Sequence, residues 1–107
     1  MTPPSLHPRA LSLPPIAESN PQAVEVLRVW GAPGSPHQLT LRPTWKDAGC
    51  WGLLLVDIAR HASQAYSKEG QDPDTVLARI REAFDAEWTY PTDIPLDLTR
   101  GQQNKKG

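Results

Sequence analysis

The chain has a single cysteine, Cys50, so an intrachain disulfide is impossible and a disulfide-stapled secreted domain is excluded. It also lacks any apolar run that approaches the roughly 18 residues of a membrane-spanning helix. Prolines interrupt its N-terminal segment, which therefore lacks the continuous apolar stretch of a signal peptide. We expect a cytoplasmic protein that has no membrane partner.

No charge of one sign dominates, because 11 lysine and arginine residues stand against 12 aspartate and glutamate residues. The two signs are interspersed, and the basic pair Lys105 and Lys106 stands apart near the C-terminus. Non-specific binding to nucleic acid depends on clustered lysine and arginine side chains that neutralise phosphates. We therefore expect no nucleic-acid partner.

Proline is frequent but unevenly placed, and it crowds the start of the chain at positions 3, 4, 8, 14, 15 and 21. Proline fixes φ and lacks an amide donor, so a proline-rich segment is a poor source of helices and strands. We predict a disordered arm over residues 1–21 and a mostly disordered tail over residues 93–107. Residues 22–92 remain for one compact domain, near the lower size limit for an independent core.

Two short strands are predicted at the start of this domain. Residues 24–30 are rich in β-branched and aromatic side chains and carry apolar groups on both faces, as in an inner strand. Residues 38–42 alternate strictly, with Leu39 and Leu41 facing inward. The glycine- and proline-rich loop between them predicts an antiparallel hairpin.

Two helices are predicted to follow the hairpin. The first begins near Asp47 and has an apolar face of roughly 140°, with Leu53 and Val56 outside it. The second has Asp72 as its N-cap and Pro73 at its first position. A short connection makes the helices antiparallel neighbours. The order β-β-α-α predicts an α+β fold in which a helical pair covers the antiparallel hairpin.

The apolar periodicity of both helices predicts that the main core lies between them. We expect a short extended piece at residues 94–98 either to pack back over Leu53 and Val56 or to remain free. The residues expected in the core are Leu77, Ile80 and Phe84 of the second helix, and Leu54, Leu55, Ile58 and Ala62 of the first.

Three stretches carry a resemblance to a known family: VEVLRVW at 24–30, WGLLLVDIARHASQAY at 51–66 and DPDTVLARIREAFDAEW at 72–88. Together they resemble a family of short uncharacterised bacterial proteins recorded as a domain of unknown function. The resemblance covers residues 21–92 and depends on whole-segment pattern, without a catalytic motif. It implies a single compact domain and transfers neither an activity nor a site residue.

The polar face of the first helix offers one candidate site for chemistry. Asp57 and His61 are four residues apart, with Arg60 beside them, so the carboxylate can orient the imidazole or both can hold a metal. A zinc site needs three or four ligands, and His7 and His37 lie away in the arm and the hairpin loop. We expect a solvated polar face here, with no catalytic residue, cofactor or metal.

Apolar residues that the predicted fold does not bury indicate an interface. Trp45 lies between strand and helix, where it is less easily buried, and tryptophan is enriched at interface hot spots. Leu53 and Val56 fall outside the apolar face of the first helix. A lone two-stranded hairpin is also marginal in stability. These features predict a homodimer, with Trp45, Leu53 and Val56 as interface candidates.

Two function classes remain open. The first is a small cytoplasmic interaction or adaptor protein, which acts through its apolar surface on a second copy or on an unidentified protein partner. The second is a minor enzyme or small-ligand-binding protein that uses the Asp57 and His61 helix face. The absence of converging polar groups favours the first, and with it a protein that is not an enzyme. The second requires a pocket that joins Asp57 and His61 to a residue from elsewhere in the chain.

Overall fold

The computed structural model describes residues 7–92 and the backbone of Leu96–Asp97. It confirms the α+β class and the β-β-α-α order of the four main elements. In chain order the elements are α1 (Ile16–Ser19), β1 (Leu27–Trp30), β2 (Gln38–Leu41), α2 (Gly49–Ser67), α3 (Pro73–Thr89) and β3 (Leu96–Asp97).

The two predicted strands form an antiparallel hairpin, with Leu27 opposite Leu41 and Trp30 opposite Gln38. The connecting loop turns through Gly34, whose φ of 76° is a conformation that favours glycine. A third strand, β3, pairs in parallel with β2, so the sheet order is β1-β2-β3. The backbone of Leu96–Asp97 therefore lies on the sheet, and the other residues of the 93–107 tail lie outside the described residues.

The proline-rich segment contains one turn of helix, α1, within the range predicted to be a disordered arm. Pro14 and Pro15 precede it, and proline suits the first turn of a helix because its fixed φ matches helical backbone there. Further toward the N-terminus, the His7 ring contacts the Trp30 ring edge-on, with 5.1 Å between centroids. The arm therefore runs beside β1.

Both long helices begin where an aspartate satisfies free amides of the first turn. The carboxylate of Asp47 accepts a hydrogen bond of 2.8 Å from the Gly49 N–H. At α3 the Asp72 carboxylate accepts from both the N–H and the Oγ1–H of Thr75. Gly70, with a φ of 95°, ends the turn that follows α2, as a left-handed cap does.

The helical pair does not cover the sheet. α2 packs against α3 and the strands pack against one another, but within the described elements neither long helix packs on a strand. The prediction that the helices cover the hairpin is therefore wrong. The linker from β2 instead attaches to the first turn of α2, where Trp51 Nε1–H donates to Pro43 O at 3.0 Å and the Trp51 ring meets Trp45 edge-on.

The predicted core is also wrong, because no apolar side chain is buried anywhere in the described part of the chain. Ser63 is the one buried residue there, with 3% of its surface exposed. Of the expected core residues, Leu55, Ile58 and Phe84 are exposed. Half-buried positions hold the others, which are Leu54, Ala62, Leu77 and Ile80.

The N-cap of α3 generates a prediction about acid sensitivity. Hydrogen bonds from the side chain and then the backbone of Thr75 hold the pKa of Asp72 below its ordinary value of 3.8. A carboxyl group with a lowered pKa stabilises the folded state above its unfolded pKa, and this stabilisation is lost as the pH falls through the folded pKa. Asp72→Ala should therefore melt at a lower temperature than the wild type at neutral pH.

The difference in melting temperature should close as the pH falls below 3.8. Melting curves followed by circular dichroism across the acid range measure it directly. Asp74→Ala is the matched control, because Asp74 lies in the same first turn without the capping bonds. A difference between wild type and Asp72→Ala that stays constant down to the lowest pH would contradict the assignment.

Candidate interaction surface

The contact between α2 and α3 runs along the small residues of α2. Ser63 is buried, and Ala59, Ala62 and Ser67 around it are half-buried. At about 100° per residue these positions centre roughly 90° away from the middle of the predicted apolar face. Small side chains allow two helices to approach closely, and Ser63 Oγ–H is satisfied by donating to Arg60 O at 2.8 Å. Part of the predicted apolar face therefore stays open.

On α3, a row of apolar residues faces this contact, and two aromatic residues lie beside it. Val76, Leu77 and Ile80 are half-buried, whereas Phe84 is 44% exposed and Trp88 is 75% exposed. The two aromatic rings stack, with centroids 5.5 Å apart and planes 22° from parallel. They lie at one edge of the helical pair.

Leu53 and Val56 of α2 lie at that same edge. Positions equally distant from the turn face each other across an antiparallel helical pair, which places Val56 level with Phe84 and Leu53 level with Trp88. At about 100° per residue both pairs also fall on the same side of the contact between the helices. Leu53 is 70% exposed and Val56 is 51% exposed. We call Leu53, Val56, Phe84 and Trp88 the helical patch.

The sequence-based interface candidates therefore separate in the structure. Leu53 and Val56 share the helical patch. Trp45 is partly exposed and meets Trp51, which lies about 160° around α2 from Leu53. Trp45 consequently lies on another side of the helix. An interface role for each of the three remains a prediction.

The polar candidates do not form an enclosed site. Asp57, Arg60 and His61 are all exposed, and no hydrogen bond joins their side chains to one another in the described range. No group of three histidine, cysteine or carboxylate side chains that could hold a metal occurs among the described residues. A cavity of about 500 Å³ lies away from these residues, between residues 9–14 of the arm and β1.

The sequence predicts Phe84 as a core residue and gives Trp88 no role, so both are missed as members of the helical patch. Their distance along the chain from the turn between the helices could have identified them. Phe84 and Val56 are equally far along the chain from Gly70, and Trp88 and Leu53 are nearly so. Each aromatic residue is therefore level with an α2 residue that lies outside the predicted apolar face. Helical periodicity describes each helix by itself, whereas the patch is a property of the pair.

Comparison with known proteins gives a family. A family model described as "Domain of unknown function (DUF5076)" matches residues 10–92, and the chain belongs to this family. The resemblance to a family of unknown function is thereby confirmed. No curated protein matches the chain. No helix in the described residues is long and apolar enough to cross a membrane.

A solved structure is similar over nearly the whole of both chains. It is named "putative pyruvate dehydrogenase" and comes from the photosynthetic bacterium Rhodopseudomonas palustrus CGA009. The two proteins are 37% identical, the alignment covers 94% of this chain and 97% of that chain, and the TM-score is 0.68. The similarity supports the fold as a whole and assigns no residue a role.

The exposed polar face generates a prediction of its own. Asp57→Ala and His61→Ala should each change the free energy of unfolding by less than about 0.5 kcal/mol, because both side chains are solvated. Urea unfolding measures this change.

Protein purified without an affinity tag should carry less than about one tenth of an equivalent of zinc. Stoichiometric zinc that is lost on His61→Ala would overturn the prediction.

Proposed function

We propose that this chain is a small cytoplasmic protein-interaction module that works as a homodimer. The observation that carries the proposal is the absence of any buried apolar side chain among the described residues. Domains of this size that fold alone bury about 60% of the surface that their unfolded chain exposes. Since the helices and the hairpin are complete but leave their apolar sides open, association supplies the missing burial.

The character of the open surface supports a protein partner. Large apolar side chains are exposed on β1, α2 and α3, and exposed apolar patches of this kind mark protein interaction sites. Tryptophan and other aromatic residues are enriched at such sites. Trp88 and Phe84 form a stacked aromatic pair at the surface of α3. A surface of this composition is suited to another folded protein.

The alternative function, an enzyme or ligand-binding protein built on Asp57 and His61, has less support. Ligand sites are concave and bring several polar groups together. Asp57 and His61 lie exposed on one turn of α2, and the described cavity beside β1 includes neither of them. The name of the similar bacterial structure concerns that protein and adds no residue to this face.

The mass of the protein in solution tests the proposal. One chain has a mass of 11.8 kDa. Light scattering after gel filtration at about 100 μM, where even weak dimers form, should give twice this mass. The melting temperature should rise with protein concentration, because folding and association are linked. A monomer mass together with a melting temperature that is independent of concentration would rule the dimer out.

A further inference from the structure

We propose that the second copy docks on the helical patch, so that two α2–α3 pairs face each other around a twofold axis. This inference rests on the homodimer proposed above and assigns its contact surface. The patch consists of Leu53, Val56, Phe84 and Trp88, which are all exposed and which helical spacing places at one edge of the helical pair. A twofold interface uses the same surface on both copies, so a compact apolar patch can serve as its own partner.

The area of the patch fits a dimer. The four side chains expose roughly 400 to 500 Å² of apolar surface. A stable interface buries about 800 Å² on each partner, with an apolar centre and a polar rim. The patch therefore has the size of the apolar centre of one interface.

The charges around the patch suit a second copy of the same surface. The rim contains Asp57 and Arg60 of α2 and, on α3, the ion pair of Arg81 with Asp85, in which Arg81 Nε lies 3.0 Å from Asp85 Oδ2, so two acidic residues stand against two basic ones. Because both signs are present, two identical surfaces can meet without net repulsion of like charges. The patch itself contains no charged side chain.

The described segments of the chain's own ends do not cover this patch. The backbone of Leu96–Asp97 pairs with β2 in the sheet, and the sheet does not pack on the helices. Residues 9–14 of the arm lie beside β1, where they line the cavity. The backbone of Leu96–Asp97 therefore does not cover Leu53 and Val56, and residues 94, 95 and 98 of the predicted extended piece lie outside the described residues. A second copy remains the occupant whose size and charge match.

The test compares Leu53→Glu with Leu11→Glu by sedimentation equilibrium. Leu53→Glu places two charges in the apolar centre of a twofold interface and should raise the dimer dissociation constant by at least about 100-fold. Leu11 is 92% exposed in the arm, so Leu11→Glu makes the same chemical change outside the patch. It should leave the dissociation constant within about twofold of the wild type. Trp88→Ala is a second patch variant and should weaken the dimer in the same direction.

A measurement on the wild type keeps the test independent of mutant folding. With 5-fluorotryptophan at the four tryptophans, the ¹⁹F resonance of Trp88, assigned from Trp88→Phe, should lose its solvent isotope shift as dilute protein is concentrated. Trp45, which lies on another side of α2 and is partly exposed in the folded chain, should keep a solvent isotope shift in the concentrated protein. The docking site would be overturned if the wild type is a dimer, the patch variants bind with unchanged affinity and the Trp88 resonance stays solvent-exposed. That result would still support the homodimer. A monomeric wild type would overturn both.

Discussion

Burial of the apolar sides of α2 is the constraint on which the rest of this structure depends. α2 is the longest element and carries apolar residues around most of its circumference. α3 contacts α2 along the small residues near Ser63, and the linker reaches only its first turn through Trp51. The sheet covers none of it within the described elements. Most of the apolar surface that stays exposed is therefore on the helical pair. Association through this pair would bury the most apolar surface.

Local structure was predictable from the sequence because short-range chemistry determines it. Asp72 and Pro73 define the start of α3, and Gly70 provides the left-handed cap before it. The alternation around Leu39 and Leu41 defines β2 and its pairing with β1. The family resemblance over residues 21–92 was likewise confirmed over residues 10–92.

Packing between elements was not predictable, since periodicity identifies an apolar face but not which neighbour covers it. Ala59 stands at one end of the predicted apolar arc of α2 and Ser63 lies just outside it, yet small side chains let α3 approach on that side. The same shift exposed Ile58 and Phe84, which the repeat had assigned to the core. The two-residue strand β3 was too short to have a pattern. The candidate site was half predictable: Leu53 and Val56 were found as outliers, and their aromatic partners were not.

Amide hydrogen exchange at two protein concentrations tests most directly whether association completes the core. If a separated chain is too open to stay folded, its unfolded fraction is inversely proportional to the square root of the total concentration, so a hundredfold increase should slow exchange about tenfold. The slowing should appear throughout α2, including the amides around Ser63 at the contact with α3. Exchange in α2 that is well protected and equally fast at both concentrations would contradict the central claim, because a single chain would then hold its own core.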